Sequence, residues 1–222
     1  MMNTTTYLRP QVRITLAFAA LALILTAGAL LGGLREGLLL STSFGALLVV
    51  GYLSDLLPIV FAAMAVLDLP YALRSGQSRP RAVRAMGGSL ALLIALNLVM
   101  VGPWVLGSVE IPGATVERPD LWTAIQEIIA GPIIVYAGVG IVLLLALRFG
   151  VGPAVLAAVA MAAASFPVGL AGWDVTSLVP LVTITPNELG RPVPPVLTLL
   201  AAGLWWAGLT WAVLTFQPRT RE

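Results

Sequence analysis

The sequence predicts an all-α integral membrane protein with about six transmembrane helices, and three observations carry that prediction. Of the 222 residues, 59% are hydrophobic and 10% are charged, against roughly 25% charged in soluble domains; the mean hydropathy is +0.99. The apolar residues gather into runs of about 20 or more, enough at ~1.5 Å per residue to cross a hydrocarbon core ~30 Å thick. The charges fall between these runs, and most arginines lie on alternate connections, the pattern of basic loops held in the cytoplasm. A single polytopic domain, residues 1–222, takes up the whole length.

The first span runs from Ile14 to Leu34, longer than the ~7–15 apolar residues of a secretory signal peptide, and reads as a retained helix. The second, from about Phe44 to Leu69, is interrupted by Asp55. Within it Pro58 removes the backbone donor that would bond the Ser54 carbonyl, which predicts a local kink. The third, Ala85 to Val109, carries no charge. The fourth covers about Ile128 to Leu147 and ends at Arg148. A tight reversal at Gly150-Val151-Gly152-Pro153 opens the fifth, which extends from Val151 to Trp173. The sixth runs from Val193 to Phe216, contains Trp205, Trp206 and Trp211, and stops at Gln217-Pro218-Arg219.

Orientation follows from the arginines. Arg9 and Arg13, then Arg74, Arg79, Arg81 and Arg84, then Arg148, then Arg219 and Arg221 fall on one side. Arg35, Arg118 and Arg191 fall on the other, among Glu36, Glu110, Glu117, Asp120, Glu127, Asp174 and Glu188. Six alternating spans with both termini in the cytoplasm satisfy every loop. On the outside, Leu121, Ala124, Ile125, Ile128 and Ile129 recur at helical spacing after Asp120, an N-cap candidate, with Trp122 suited to the headgroup layer. This predicts a short interfacial helix that runs into span four and breaks at Gly131-Pro132. Between spans five and six, Val175 to Thr185 is apolar but too short to cross, and Pro180 and Pro186 interrupt helix there; a re-entrant or interfacial hairpin is expected.

The chain has no Cys and no His, which excludes disulfides, thiolate nucleophiles, imidazole bases and the commonest zinc and haem ligands. Every basic residue is Arg, and with the Ala, Leu, Gly and Val richness this reads as a GC-rich bacterial genome and places the protein in the bacterial cytoplasmic membrane. No catalytic dyad, metal site or phosphate loop emerges, and nothing points to nucleic acid. Gly138-Val139-Gly140 lies inside span four with no strand before it, so it is not a nucleotide motif.

Three sets of residues remain as candidates. Asp55 is the ionisable group placed near the middle of a span, where a carboxylate costs roughly 2.5–3.5 kcal/mol on insertion scales. Tyr52, Asp55 and Ile59 share a helical face, and Asn97 in span three is a possible partner. Asp55 either faces a cavity or is a hydrogen-bonded packing contact. The stretch from Arg74 to Arg84 carries Arg74, Arg79, Arg81 and Arg84 and leaves room for one short helix. It serves as a topology signal against anionic lipid, with or without a second role in docking a cytoplasmic partner. Gly28 and Gly32 in span one, and Ala154, Ala158 and Ala162 in span five, are small-x-x-x-small pairs that allow close helix approach.

The layout resembles the permease subunits of type-2 ABC exporters: six spans in about this length, both ends inside, a cytoplasmic loop between spans two and three, and a broken apolar hairpin between spans five and six. The segment Leu199-Leu200-Ala201-Ala202-Gly203-Leu204-Trp205-Trp206, followed by a short Arg tail, is similar to the family's last span. Asp68 stands where many members carry an acidic residue followed by Gly-Thr, although Leu69-Pro70-Tyr71 follows here. The resemblance implies a coupling helix within about Leu73 to Arg84 that docks on a separate ATPase, and re-entrant outside helices within Asp174 to Leu189. It further implies a second permease copy or paralogue, ATP and Mg on the partner subunit with no cofactor in this chain, and a hydrophobic or amphipathic substrate moved by alternating access. Two other readings stand beside it: a six-span substrate-capturing subunit of a vitamin or metal importer, and a non-transporting immunity or assembly protein.

Overall fold

A computed structural model of the chain describes residues 56–105, 125–170 and 194–217, together with the helical positions Arg13, Ala17, Ala20 and Ile24. The described residues are helical, without strands. A helix is the form that lets a single segment satisfy its own backbone donors and acceptors inside lipid. Arg13, Ala17, Ala20 and Ile24 are all exposed, and their 4-3-4 spacing lines one side of a helix that takes in Arg13, just before Ile14, where span one was expected to start.

Five long helices follow. Helix α1, Leu56–Arg74, contains a single turn residue at Asp68, where Pro70 enters the first turn of its final segment, Leu69–Arg74. Helix α2 is Arg79–Val105. A π-turn, Gln126–Ala130, leads without interruption into α3, Gly131–Phe149. Helix α4 is Val151–Leu170 and α5 is Pro195–Thr215. Among the described residues four stretches are long and apolar enough to cross a membrane, Leu56–Arg74, Arg79–Val99, Ile128–Phe149 and Val196–Thr215; α4, twenty residues long, is apolar from Val151 to Met161.

Helix α3 is the centre of the packing. It lies along α5 and α4, touches α2, and is buried continuously from Tyr136 to Gly140. Its small residues permit this, since lipid supplies no hydrophobic drive between helices and close approach is what favours contact. At Gly140 a Cβ atom would stand 2.9 Å from Leu209 of α5 and 3.6 Å from Val66 of α1, so three helices converge on a missing side chain. Around that point Phe61, Ala62, Ala65 and Val66 of α1, Met86 and Leu93 of α2, and Leu209 and Val213 of α5 are buried in one cluster.

The outward faces are apolar as well. Leu156, Leu204 and Trp211 are 70%, 74% and 69% exposed, a surface that water would not support and that acyl chains cover.

Two boundaries differ from the sequence expectation. Helix α1 continues to Arg74 rather than stopping at Leu69, and α2 begins at Arg79 rather than Ala85, so residues 79–84 form the first turns of a membrane-crossing helix and no separate short helix lies within 73–84. Arginine permits this extension because its stem lies along apolar surface while the guanidinium reaches water. At Gly131-Pro132 the helix is widened rather than broken. Pro132 supplies no N–H and its ring crowds the preceding turn; the Gly131 N–H bonds instead to the Gln126 carbonyl, five residues back. Residues 174–189, expected to be re-entrant, residues 120–124, expected to start an interfacial helix, and Gly28, Gly32 and Asp55 lie outside the described residues.

Candidate functional site: the basic turn and the polar interior

The connection between α1 and α2 is built by glycine chemistry. Gly76 has φ +86°, the left-handed conformation that closes many helices at no steric cost. The Gln77 N–H bonds to the Ala72 carbonyl at 3.0 Å and the Gly76 N–H to the Leu73 carbonyl at 3.1 Å, the paired closure of a Schellman motif. Ser75 Oγ donates to the Ala72 carbonyl at 2.8 Å. The Ser78 carbonyl then accepts from Arg81 and Ala82, both at 3.0 Å, which starts α2 with Pro80 in its first turn, where a missing N–H costs nothing. Between α1 and α2 the residues outside helix are 75–78.

This turn is tied to the bundle from both sides. Leu69 and Ala72 before it, and Ala82, Ala85 and Met86 after it, are buried. Its outer surface carries Arg74, Arg79, Arg81 and Arg84, all exposed. Among the described residues none of these four guanidiniums is paired with a carboxylate. Leu73, Arg74, Gln77, Ser78 and Arg79 line an open cavity of about 420 Å³.

The second candidate is inside the bundle, at two levels. At the lower level the Tyr136 hydroxyl faces Ser89 of α2, both side chains fully buried and neither hydroxyl in hydrogen-bond geometry. The Tyr136 ring lies 6.4 Å from that of Trp206, within the range of favourable aromatic pairs. At the upper level Gln126 Nε2 donates to Thr198 Oγ1 at 2.9 Å. Eight residues along α2 from Ser89, a rise of ~12 Å, Asn97 stands level with the π-turn, which α2 touches. Asn97 is 2% exposed and its Oδ1 has no hydrogen-bond partner. An unsatisfied buried acceptor of this kind costs about 1–3 kcal/mol, and π-turns recur at functional sites.

Of the residues singled out from the sequence, the four arginines are together on one surface and Asn97 is buried in the interior. Asp55 cannot be set beside Asn97 because it lies outside the described residues, as do Gly28 and Gly32. Ala154 is buried and Ala158 half-buried, with α4 packed on α3. Sequence reasoning missed Ser89, Gln126, Tyr136 and Thr198. The signal available for three of them was a polar side chain within a run free of charge. Among the described residues no group of three His, Cys, Asp or Glu gathers to hold a metal.

The fold and these two sites define a multi-pass α-helical membrane protein with a polar interior and an arginine-rich turn. No family model, curated protein or solved structure matches the chain.

Proposed function

We propose that the chain is the transmembrane permease subunit of an ATP-driven exporter of the ABC type, in a bacterial cytoplasmic membrane, coupled to a separate ATPase through the turn between α1 and α2. The observation that carries this reading is the turn's construction: a four-residue connection, held by backbone bonds and rooted in the core by Leu69, Ala72, Ala82 and Met86, with exposed arginines on its outer face that pair with no carboxylate among the described residues. A displacement applied there passes to two membrane-crossing helices together, as rigid packed elements transmit it. ATP binding would close the partner subunits and rock two permease chains about their interface. The substrate would be hydrophobic or amphipathic, in keeping with the scarcity of charge inside the spans.

The test is affinity purification of the tagged chain in mild detergent, comparing wild type with Arg81→Ser/Arg84→Ser. The expected result is a nucleotide-binding subunit that accompanies the wild type and is lost from the variant. A chain that inserts normally and brings no such subunit in either form overturns the proposal and favours the non-transporting reading.

The bond between Gln126 and Thr198, together with the unsatisfied Asn97 Oδ1 on a helix that touches the π-turn, favours a second reading, the substrate-capturing subunit of an importer, which holds one small ligand within a single chain. The mass of the purified complex separates the two: two copies of this chain support the exporter, and one copy supports capture.

A further inference from the structure

The apolar exterior of α1 runs directly into its basic end. Leu56, Val60, Leu67 and Tyr71 are exposed and recur along one side of α1 within about 60° of each other at ~100° per residue. Arg74 falls on the same side, is exposed, and lines the cavity of about 420 Å³ with Arg79, Gln77, Ser78 and Leu73. Among the described residues that cavity therefore has two guanidiniums, two uncharged hydrogen-bonding side chains and no carboxylate on its wall. Neither Arg74 nor Arg79 has an ion-pair partner among the described residues.

We propose that this is a binding seat for one anionic phospholipid of the cytoplasmic leaflet. An acyl chain lies along Leu56, Val60 and Leu67, Tyr71 stands at the depth of the headgroup, where amphipathic rings concentrate, and Arg74 and Arg79 hold the phosphate. Guanidinium suits this task because its planar fork donates two parallel hydrogen bonds to phosphate oxygens, and Gln77 and Ser78 supply further donors on the wall. A soluble acidic segment would match the arginines but would leave the apolar stripe leading to them uncovered; a phospholipid matches both. Arg81 and Arg84, three apart and so on one face of α2, do not line the cavity and remain available to a cytoplasmic partner. The lipid seat does not depend on the exporter reading.

The experiment is native mass spectrometry of the full chain released from nanodiscs containing equal parts phosphatidylglycerol and phosphatidylcholine. Wild type is expected to retain phosphatidylglycerol selectively. At about 10-fold per charged hydrogen-bonded contact, Arg74→Ser/Arg79→Ser lowers that selectivity about 100-fold, whereas Arg81→Ser/Arg84→Ser, which removes equal charge outside the cavity, leaves it within about 3-fold of wild type. Equal losses from both pairs overturn the seat in favour of diffuse charge attraction. Loss of the retained lipid on titration with inorganic phosphate overturns the lipid as occupant and leaves a phosphate-ion site. Because Arg74 and Arg79 also hold the turn in the cytoplasm, Arg74→Lys/Arg79→Lys keeps that signal if the serine variant fails to insert. Lost selectivity in the lysine variant supports the forked seat, and full wild-type selectivity overturns it.

Discussion

The bundle reverses direction twice on its arginine-bearing side, and the two reversals are built differently. Between α3 and α4 a single residue, Gly150, makes the turn. Arg148, half-buried beside it, lies 4.9 Å from the Phe149 ring centroid, so its charge is engaged within the chain by a cation–π contact. Between α1 and α2 the turn takes four residues and carries four exposed arginines that have no ion-pair partner among the described residues. One arginine therefore meets the topological demand at the first reversal, and the second carries three more. That excess is the observation on which both the proposed lipid seat and the proposed partner contact rest.

The largest effect expected from breaking this comparison is at Gly150. Its φ of +97° and ψ of 178° lie in a region open essentially to glycine, and a Cβ there would meet nothing within 4 Å, so the whole cost is conformational. Gly150→Ala should destabilise the protein by about 2–3 kcal/mol, read from denaturant or thermal unfolding in detergent, and Gly150→Asn should recover little of it. Gly76 is the milder case. Gly76→Ala should cost about 1–2 kcal/mol, and Gly76→Asn should restore most of that because asparagine tolerates the left-handed region. Equal responses to asparagine at the two sites would remove the conformational distinction. The smallest effect concerns orientation. Reporter fusions after α3 should show a larger misoriented fraction for Arg148→Ser, which strips its turn of positive charge, than for Arg81→Ser, which leaves three arginines.

The sequence made much of this arrangement legible. Spans four and six were placed within about three residues, because Arg148-Phe149-Gly150 and Pro194-Pro195 are unambiguous boundaries, and α4 starts where span five was expected to start. Spans two and three were cut short on the turn side, since a boundary drawn at the last apolar residue ignores arginine stems that continue a helix into the headgroup layer. Gly131-Pro132 was read as a break because proline opposes helix; a five-residue hydrogen bond to Gln126 absorbed it instead. The turn's arginines were visible as a charge cluster, whereas the interior site was not. Gln126 and Thr198 are 72 positions apart, and no local pattern announces that pairing. Asn97, expected as a partner for Asp55, is buried with its Oδ1 unsatisfied, and Asp55 lies outside the described residues.

The π-turn has a mechanical consequence. It stores one surplus residue in the wall of a continuous helix, and drawing that residue back into α-helical register would rotate the preceding chain by about 100° and shift it ~1.5 Å along the axis. Gln126 would swing with it, away from Thr198. The bond between those side chains therefore ties the widened turn to α5, 72 positions away in the chain.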